Sequence, residues 1–387
     1  MKQIDSLGPA AGKAPISGII AAVDHGREKE GLIPLWAGEG DLPTPEFICR
    51  PANAAMLDGE TFYTWNRGIP DLRQALARYH QRHFGNANSP DRHIVTGSGM
   101  QSIQLAIQAI AGHGDDIVYL SPAWPNFPAA LGIAGGNPIP VELSFDGKWK
   151  LDADHLVSAI TPRTKAIFVN SPSNPTGWTA DKGTLSDILQ IARRNQLWII
   201  ADETYALFHY GEGRAASFFD VMNDDDLIIF ANTFSKNWAM TGWRIGWLTV
   251  HPDLQQTFEN LIQYSTSGVS QFLQRGAIAA LDEGDSFIAS QVARASSARD
   301  LVASALASTN RVANSPPDGA FYYFFRVDGI TDTRQAVFDI IDNAGVGLAP
   351  GSAFGPGGSS YFRLCFHRRL DQLEQAMDRL CKWIREN

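Results

Sequence analysis

Short apolar runs that alternate with longer amphipathic segments between residues 93 and 250 place the strongest constraint on the fold. The runs lie at 117–120, 166–170, 197–201 and 227–230. The segment 100–111 between two of them has apolar residues at the spacing of one helical face, namely Ile103, Ala106, Ile107 and Ile110. Strands that are apolar throughout belong to a sheet covered on both faces. The sequence therefore predicts an α/β fold in which a mostly parallel sheet is sandwiched by helices.

The C-terminal part of the chain has a different pattern. Residues 253–310 are mostly helical and include a candidate for one long helix that links two domains. Strand and helix patterns then alternate as in an α+β domain. We predict an N-terminal arm and joining segment at 1–45, a large domain at 46–290 and a smaller α+β domain at 291–387.

Composition excludes several classes of protein. The 387 residues carry a formal net charge of −9 and no basic run, which argues against a nucleic-acid partner. No apolar run approaches the length of a membrane span, and the N-terminus lacks the apolar segment of a signal peptide. The three cysteines are odd in number and have no metal-ligand spacing. We therefore expect a cytoplasmic protein with no membrane partner, no disulfide framework and no metal site.

The stretch 232–247 holds the lysine that most strongly suggests chemistry. Lys236 lies among three large aromatic residues, and burial there lowers the pKa of its amine, which makes the amine a nucleophile. Eight residues later, Arg244 stands between two glycines, and with the hydroxyls of Thr233 and Ser235 it suits a phosphate. The stretch indicates a Schiff-base lysine beside a phosphate anchor. A loop with a solvated lysine and a structural arginine explains this stretch equally well.

Polar residues also follow the ends of two other apolar runs. Asp202 ends a strongly apolar strand, where a carboxylate needs a cationic or donor partner such as a protonated pyridine nitrogen. Tyr205, three residues later, can point its phenol the same way. Asn174 precedes a proline that fixes the backbone at a strand end, where ligands bind in open α/β sheets. Considered singly, Asp202 is also compatible with a helix cap and Asn174 with an ordinary turn.

The segment G-S-G-M-Q-S at 97–102 follows a strand and opens a helix, where backbone N–H groups bind anions. Its spacing resembles a dinucleotide fingerprint, but Ser102 replaces the third glycine and no acidic residue ends the next strand. We therefore favour a single phosphate over a nicotinamide dinucleotide. A glycine-rich helix start without a ligand is the alternative.

Three bulky side chains near other strands complete the candidate site. Trp124 follows a strand and is placed either to stack on a flat cofactor or to fill the core. Tyr63 lies in a polar loop with a second large aromatic residue, which is typical of an interface. Arg363 interrupts a short apolar strand and needs a carboxylate, either from a substrate or from an internal ion pair.

Several motifs in this order resemble those of the class I/II pyridoxal-phosphate-dependent aminotransferases of fold type I. They are Asn-Pro-Thr-Gly at 174–177, Ala-Asp-Glu-x-Tyr at 201–205, Ser-Lys-x-x-x-Met-x-Gly-Trp-Arg-x-Gly at 235–246 and the late strand arginine. The resemblance runs from about residue 16 to the end of the chain. It implies the aspartate aminotransferase-like fold, pyridoxal 5′-phosphate as cofactor, a ping-pong reaction between an L-amino acid and a 2-oxo acid, and a homodimer with shared sites.

The resemblance also implies a role for each matching residue. Lys236 binds the cofactor covalently and moves the proton of the substrate α-carbon, and Asp202 pairs with the pyridine nitrogen. Tyr205 and Asn174 hydrogen-bond the ring oxygen, and Trp124 stacks on the ring. The phosphate is held by Ser98, Gly99, Met100, Thr233, Ser235 and Arg244, with Tyr63 from the neighbouring subunit. Arg363 binds the substrate α-carboxylate, and the backbone of Gly38 assists it.

Two positions depart from the aspartate-specific members of the family. Met100 stands where one branch has a lysine, and 264–270, where another branch supplies an arginine, contains none. We therefore expect a neutral or aromatic donor, with Trp36, Trp65 and Phe354 as candidates for lining its pocket. A carbon–sulfur β-lyase of the same fold is the nearest alternative. A transcription regulator and a nicotinamide-dependent oxidoreductase are more remote, because the chain is acidic and the Gly97 loop departs from the fingerprint.

Overall fold

The computed structural model describes residues 6–12, 14–85, 89–313 and 315–387. Its strands are β1 (Ile33–Pro34), β2 (His93–Thr96), β3 (Asp116–Ser121), β4 (Asn137–Glu142), β5 (Ser144–Phe145), β6 (Trp149–Lys150), β7 (Thr164–Asn170), β8 (Trp198–Asp202), β9 (Ile228–Thr233), β10 (Gly246–Thr249), β11 (Val312–Ala313), β12 (Tyr322–Val327), β13 (Val346–Gly347), β14 (Ala349–Pro350) and β15 (Phe362–Cys365). Its helices are α1 (Pro9–Gly12), α2 (Gly18–Gly26), α3 (Glu46–Leu57), α4 (Pro70–Phe84), α5 (Gly99–Ile110), α6 (Asn126–Ile133), α7 (Ala153–Ser158), α8 (Lys182–Asn195), α9 (Gln255–Gln263), α10 (Gln271–Glu283), α11 (Asp285–Ala307), α12 (Thr333–Asp339) and α13 (Leu370–Glu386). None of the helices in these ranges combines the length and apolar character needed to span a bilayer.

The larger sheet has seven strands in the order β2-β10-β9-β8-β7-β3-β4. All are parallel except β10, which runs antiparallel to both of its neighbours. Alternate residues of a strand point to opposite faces, so Ile167 and Val169 of β7 pack into one hydrophobic cluster, and Ala166 and Phe168 into another. Helices cover both clusters. The predicted mostly parallel sheet sandwiched by helices is therefore confirmed.

A second sheet, of four antiparallel strands in the order β11-β12-β15-β14, lies in the C-terminal part of the chain. Its apolar side chains form a cluster of their own, which β1 joins through Ile33 and its pairing with β13. The 23-residue helix α11 contacts both parts, since Ile288 packs into a cluster of the large sheet and Leu306 into that of the small sheet. The domain boundaries at residues 45 and 290 stay a prediction.

The register of the large sheet brings several strand ends together at one edge. Gly246, the first residue of the antiparallel β10, pairs with Thr96 at the end of β2 and with Thr233 at the end of β9. Asp202 at the end of β8 pairs with Asn170 at the end of β7. Side chains that are far apart in the sequence therefore meet where the parallel strands end, which is the edge at which such sheets bind ligands.

Candidate active site

A cavity of about 440 Å³ lies at this edge of the large sheet, between the strand ends, the start of α5 and residues of the small sheet. Of the residues to which the resemblance assigns a role, all except Ser98 and Tyr63 line it. These are Gly38, Gly99, Met100, Trp124, Asn174, Asp202, Tyr205, Thr233, Ser235, Lys236, Arg244 and Arg363. Its size is within the range of small-molecule sites. The sequence motifs thus converge on one cavity.

Lys236 follows β9 and directs its amine into the cavity. Its Nζ donates a hydrogen bond to the carbonyl oxygen of Gly38 at 2.7 Å. No carboxylate of the described residues lies within ion-pair distance of this amine. Burial lowers the pKa of Lys236 to about 8, since desolvation disfavours the charged form. The neutral, nucleophilic form of this amine is therefore much more accessible near neutral pH than that of an exposed lysine.

Asp202 is a buried carboxylate without a cationic partner among the described residues. Its Oδ1 accepts a hydrogen bond from the backbone N–H of Thr204 at 3.2 Å. Burial raises the pKa of the carboxyl, against the weaker opposing effects of Thr204 and the Lys236 charge. A charge-bearing donor in the cavity, such as a protonated pyridine nitrogen, would satisfy this carboxylate.

Asn170 fixes the position of both Asp202 and Asn174. Its Nδ2 donates to the backbone carbonyl of Asp202 at 3.1 Å, and its Oδ1 accepts from the backbone N–H of Asn174 at 2.9 Å. Asn170 lies four residues before Asn174 at the end of β7, but only its hydrogen bonds to β8 and to the turn reveal its role. Asn170 is therefore a site residue that sequence reasoning missed.

The start of α5 forms an anion-binding end of the cavity. The backbone of Gly99 and Met100 opens the helix, and the guanidinium of Arg244 and the hydroxyls of Thr233 and Ser235 lie in the same wall. The Thr233 hydroxyl donates to the Ser235 hydroxyl at 2.9 Å. Helix N–H groups, two hydroxyls and one guanidinium are the donors that a phosphate requires.

Two glycines allow this anion-binding end to be compact. A Cβ at Gly246 would lie 2.8 Å from the Gly99 nitrogen and 2.7 Å from the Asn232 carbonyl oxygen. A Cβ at Gly99 would lie 3.0 Å from the Cβ of Thr233. Larger residues would force α5 away from β9 and β10.

Ser98 caps α5 by accepting a hydrogen bond from the Gln101 N–H at 3.0 Å and does not line the cavity.

Arg363 lies on β15, lines the cavity and is 3 % exposed. Its guanidinium donates to the carbonyl oxygen of Trp36 and to Oδ1 of Asn174, the latter at 3.3 Å, while its Nε has no hydrogen-bond partner. Among the described residues no carboxylate lies within 4.0 Å of it. The alternative of an internal ion pair is therefore wrong for the described part of the chain. The guanidinium is free to bind a carboxylate from the cavity.

Tyr322 is a second cavity residue that the sequence interpretation missed. Its hydroxyl lies 2.6 Å from that of Tyr205, and both rings are buried. A tyrosine inside the apolar run F-Y-Y-F-F needs a partner for its hydroxyl, which is the signal that was available. The run does not reveal that the partner is Tyr205.

The residues suggested for a side-chain pocket are only partly confirmed. Trp36 lines the cavity, together with apolar residues that sequence reasoning did not select, among them Ile19 and Ile103. Phe354 is wrong as a lining residue, since it is buried behind the wall with its ring 4.9 Å from the Arg363 guanidinium. Trp65 is 56 % exposed and does not line the cavity either.

The donors and acceptors of the cavity fit pyridoxal phosphate group by group. The anion-binding end suits its phosphate, the unpaired Asp202 carboxylate its ring nitrogen, and the amine of Lys236 its aldehyde. The Nε of Arg363 has no hydrogen-bond partner and can donate to the carboxylate of a second molecule. Among the described residues there is no group of His, Cys, Asp or Glu side chains that could hold a metal ion.

Comparisons with known proteins identify similar chains. The family model described as aminotransferase class I and II matches residues 31–380. A probable aspartate aminotransferase of Methanocaldococcus jannaschii is 33% identical over 351 residues, which cover 89% of this chain and 91% of that protein. An aromatic-amino-acid aminotransferase of Thermococcus litoralis is 32% identical over 361 residues, 92% of each chain. The solved structure of an alanine aminotransferase from Pyrococcus furiosus superposes with a TM-score of 0.93 at 30% identity, covering 98% of this chain and 100% of that chain.

Proposed function

The chain belongs to the class I and II aminotransferases, and we propose that it moves the amino group of a neutral or aromatic L-amino acid to a 2-oxo acid. As in the family, the cofactor is pyridoxal phosphate. The relatives are named for aspartate, aromatic amino acids and alanine, so their names do not select a donor. The lining of the cavity supports the proposed selectivity.

The observation that carries this proposal is the set of cations in the cavity. Among the described residues that line it, the basic side chains are Lys236, Arg244 and Arg363. Each has a role already, as nucleophile, phosphate ligand and α-carboxylate ligand respectively. A second carboxylate on the substrate would lie against Ile19, Trp36, Met100 and Ile103 without a cation, and an unpaired buried charge is costly. A neutral or aromatic side chain suits the same wall.

The residues of the chain divide the work of the reaction. Asp202 would pair with the ring nitrogen and keep it protonated, and Tyr205 and Asn174 would donate hydrogen bonds to the ring oxygen. Arg363 holds the substrate by its carboxylate so that the α-C–H bond lies beside Lys236. The Nζ of Lys236 takes the proton from the α-carbon and later returns a proton as a general acid. Pyridoxal phosphate supplies an electron-withdrawing ring that stabilises the negative charge developing at that carbon.

A comparison of amino donors tests the proposed selectivity. The cofactor-loaded enzyme is mixed with one L-amino acid at a time, without a 2-oxo acid, and the cofactor absorbance is followed. We expect the rate constant divided by the dissociation constant to be at least about tenfold higher for phenylalanine, tyrosine or leucine than for aspartate. Aspartate reacting fastest would contradict the proposal. Pyruvate release from a cysteine S-conjugate in the same assay would indicate β-elimination instead of transfer.

We further propose that two copies of the chain share their active sites. Tyr63 is 92 % exposed and Tyr264 90 %, and both belong to neighbouring loops at 61–66 and 264–270. Gln101 of α5 donates hydrogen bonds to Ser265 and Thr266, at 3.3 and 3.0 Å. The two loops therefore lie beside the start of α5, where we expect Tyr63 of a second copy to reach the phosphate. Large exposed apolar surfaces of this kind mark interfaces.

Mixing two variants, each impaired in a different part of the site, tests the shared site. A Tyr63→Ala chain keeps Lys236, and a Lys236→Ala chain keeps Tyr63, so a mixed dimer holds one complete site if Tyr63 acts across the interface. With random exchange, activity should rise to about a quarter of the wild-type value. A mass of 42.3 kDa in sedimentation equilibrium, that of one chain, would contradict the dimer. No recovery in a confirmed dimer would show that Tyr63 does not serve the partner's site.

A further inference from the structure

The hydroxyls of Tyr205 and Tyr322 form a hydrogen bond, and which of the two donates decides whether Tyr205 can also donate to a ligand in the cavity. Each phenol carries a single hydrogen, and the two oxygens are 2.6 Å apart, so only one phenol donates to the other. Burial raises the pKa of both tyrosines well above the ordinary value, so both stay protonated at neutral pH. If the hydrogen of Tyr205 points into the cavity, that of Tyr322 must point to Tyr205.

Tyr322 is held in place on three sides. It is the first residue of β12 and is 1 % exposed. The guanidinium of Arg363 lies over its ring, 4.9 Å from the centroid. A Cβ at Gly38 would lie 2.6 Å from its hydroxyl oxygen, so that hydroxyl occupies space that only a glycine leaves open. The same Gly38 accepts the hydrogen bond of Lys236. The hydroxyl therefore has a fixed position between Gly38 and the hydroxyl of Tyr205.

We propose that Tyr322 is a positioning residue that donates its hydroxyl hydrogen to the oxygen of Tyr205, so that Tyr205 donates its own hydrogen to the ring oxygen of the cofactor. The inference rests on the role proposed above for Tyr205. Accepting a hydrogen bond makes a phenol a stronger donor, because the two bonds polarise each other. Tyr322 thus acts on the cofactor through Tyr205. The ring of Tyr322 also contacts the guanidinium of Arg363, so the proposed carboxylate ligand packs against the tyrosine pair.

The pH titration of the bound cofactor is the readout that tests Tyr322. In Tyr322→Phe, Tyr205 becomes a weaker donor and the ring oxygen carries more negative charge. More negative charge on that oxygen would stabilise the proton that lies between it and the Lys236 nitrogen, so this proton would be lost at a higher pH. We expect the midpoint of the absorbance change to rise by about half a unit to one unit. The shift should have the same sign as that of Tyr205→Phe and be smaller. KM for the amino donor should change little, since the phenylalanine side chain at position 322 keeps the aromatic ring that packs against the Arg363 guanidinium.

Tyr323→Phe is the matched control. Tyr323 is the next residue of β12, is fully buried, has a hydroxyl without a hydrogen-bond partner among the described residues, and does not line the cavity. The same substitution there should leave the midpoint unchanged. A midpoint that is also unchanged in Tyr322→Phe would overturn the inference.

The double variant Tyr205→Phe/Tyr322→Phe separates indirect from direct action. If Tyr322 acts through Tyr205, the double variant has the midpoint of Tyr205→Phe alone. A further shift of the single-variant size would show direct contact with the cofactor and overturn the positioning role. An unshifted midpoint in Tyr205→Phe itself would instead refute the role of Tyr205 and, with it, the basis of the inference.

Discussion

Replacement of Lys236 with alanine is expected to lower the rate of amino-group transfer by about 10⁴-fold or more. The amine of Lys236 is the nucleophile and the proton carrier of the proposed reaction, and general base catalysis alone contributes up to about 10⁴-fold. No other described lysine lines the cavity, so no neighbouring amine can replace it. The measurement is a half-reaction with saturating phenylalanine, followed by the cofactor absorbance in a single turnover.

Cofactor binding distinguishes loss of chemistry from loss of the site in this variant. In the proposed site the phosphate would be held by α5, Arg244 and Thr233 and not by Lys236, so Lys236→Ala should still retain pyridoxal phosphate in equilibrium dialysis. Lys148→Ala, which removes an exposed lysine, is the control and should keep full activity. Transfer at the wild-type rate by Lys236→Ala would refute the assignment of the nucleophile.

The sequence was sufficient to predict the part of the site that lies at strand ends. Asp202, Asn174 and Lys236 each follow an apolar run, and parallel strands necessarily bring such positions to one edge of the sheet. Their chemistry could therefore be interpreted before their distances were known. The same reasoning predicted the sandwiched sheet, because strands buried on both faces are apolar throughout and do not alternate with polar residues.

The sequence was not sufficient where a role depends on contact between the two sheets. Tyr322 and Ile19 reach the cavity from the small-sheet part and from α2, and no spacing along the chain relates them to Tyr205 or Met100. Phe354 was an attractive aromatic residue, but packing places it behind Arg363 and not in the wall. The antiparallel direction of β10 also depends on pairing with β2 and β9, which an apolar run alone does not specify.

Replacement of Arg363 with methionine is expected to raise KM for the amino donor by about 10²- to 10³-fold. The guanidinium is buried, has no carboxylate partner among the described residues, and keeps an unpaired Nε. Loss of a buried, charge-assisted pair with the substrate carboxylate costs about 2–5 kcal/mol. Methionine keeps much of the side-chain volume, so the change tests the charge and the hydrogen bonds and creates little cavity. Steady-state kinetics with phenylalanine measure it.

The most specific measurement on Arg363→Met is the preference of the enzyme for an amine that carries a carboxylate over one that lacks it. The wild-type enzyme should react far faster with phenylalanine than with phenethylamine, which lacks the carboxylate, and the variant should lose most of that preference. Its stability should change by only about 1 kcal/mol, because removing an unpaired buried charge offsets the lost bonds to Trp36 and Asn174. Arg326→Met, which changes the one exposed residue of β12, is the control for both measurements. Severe destabilisation with an unchanged preference would make Arg363 a structural residue, since the substrate carboxylate would then have to bind elsewhere.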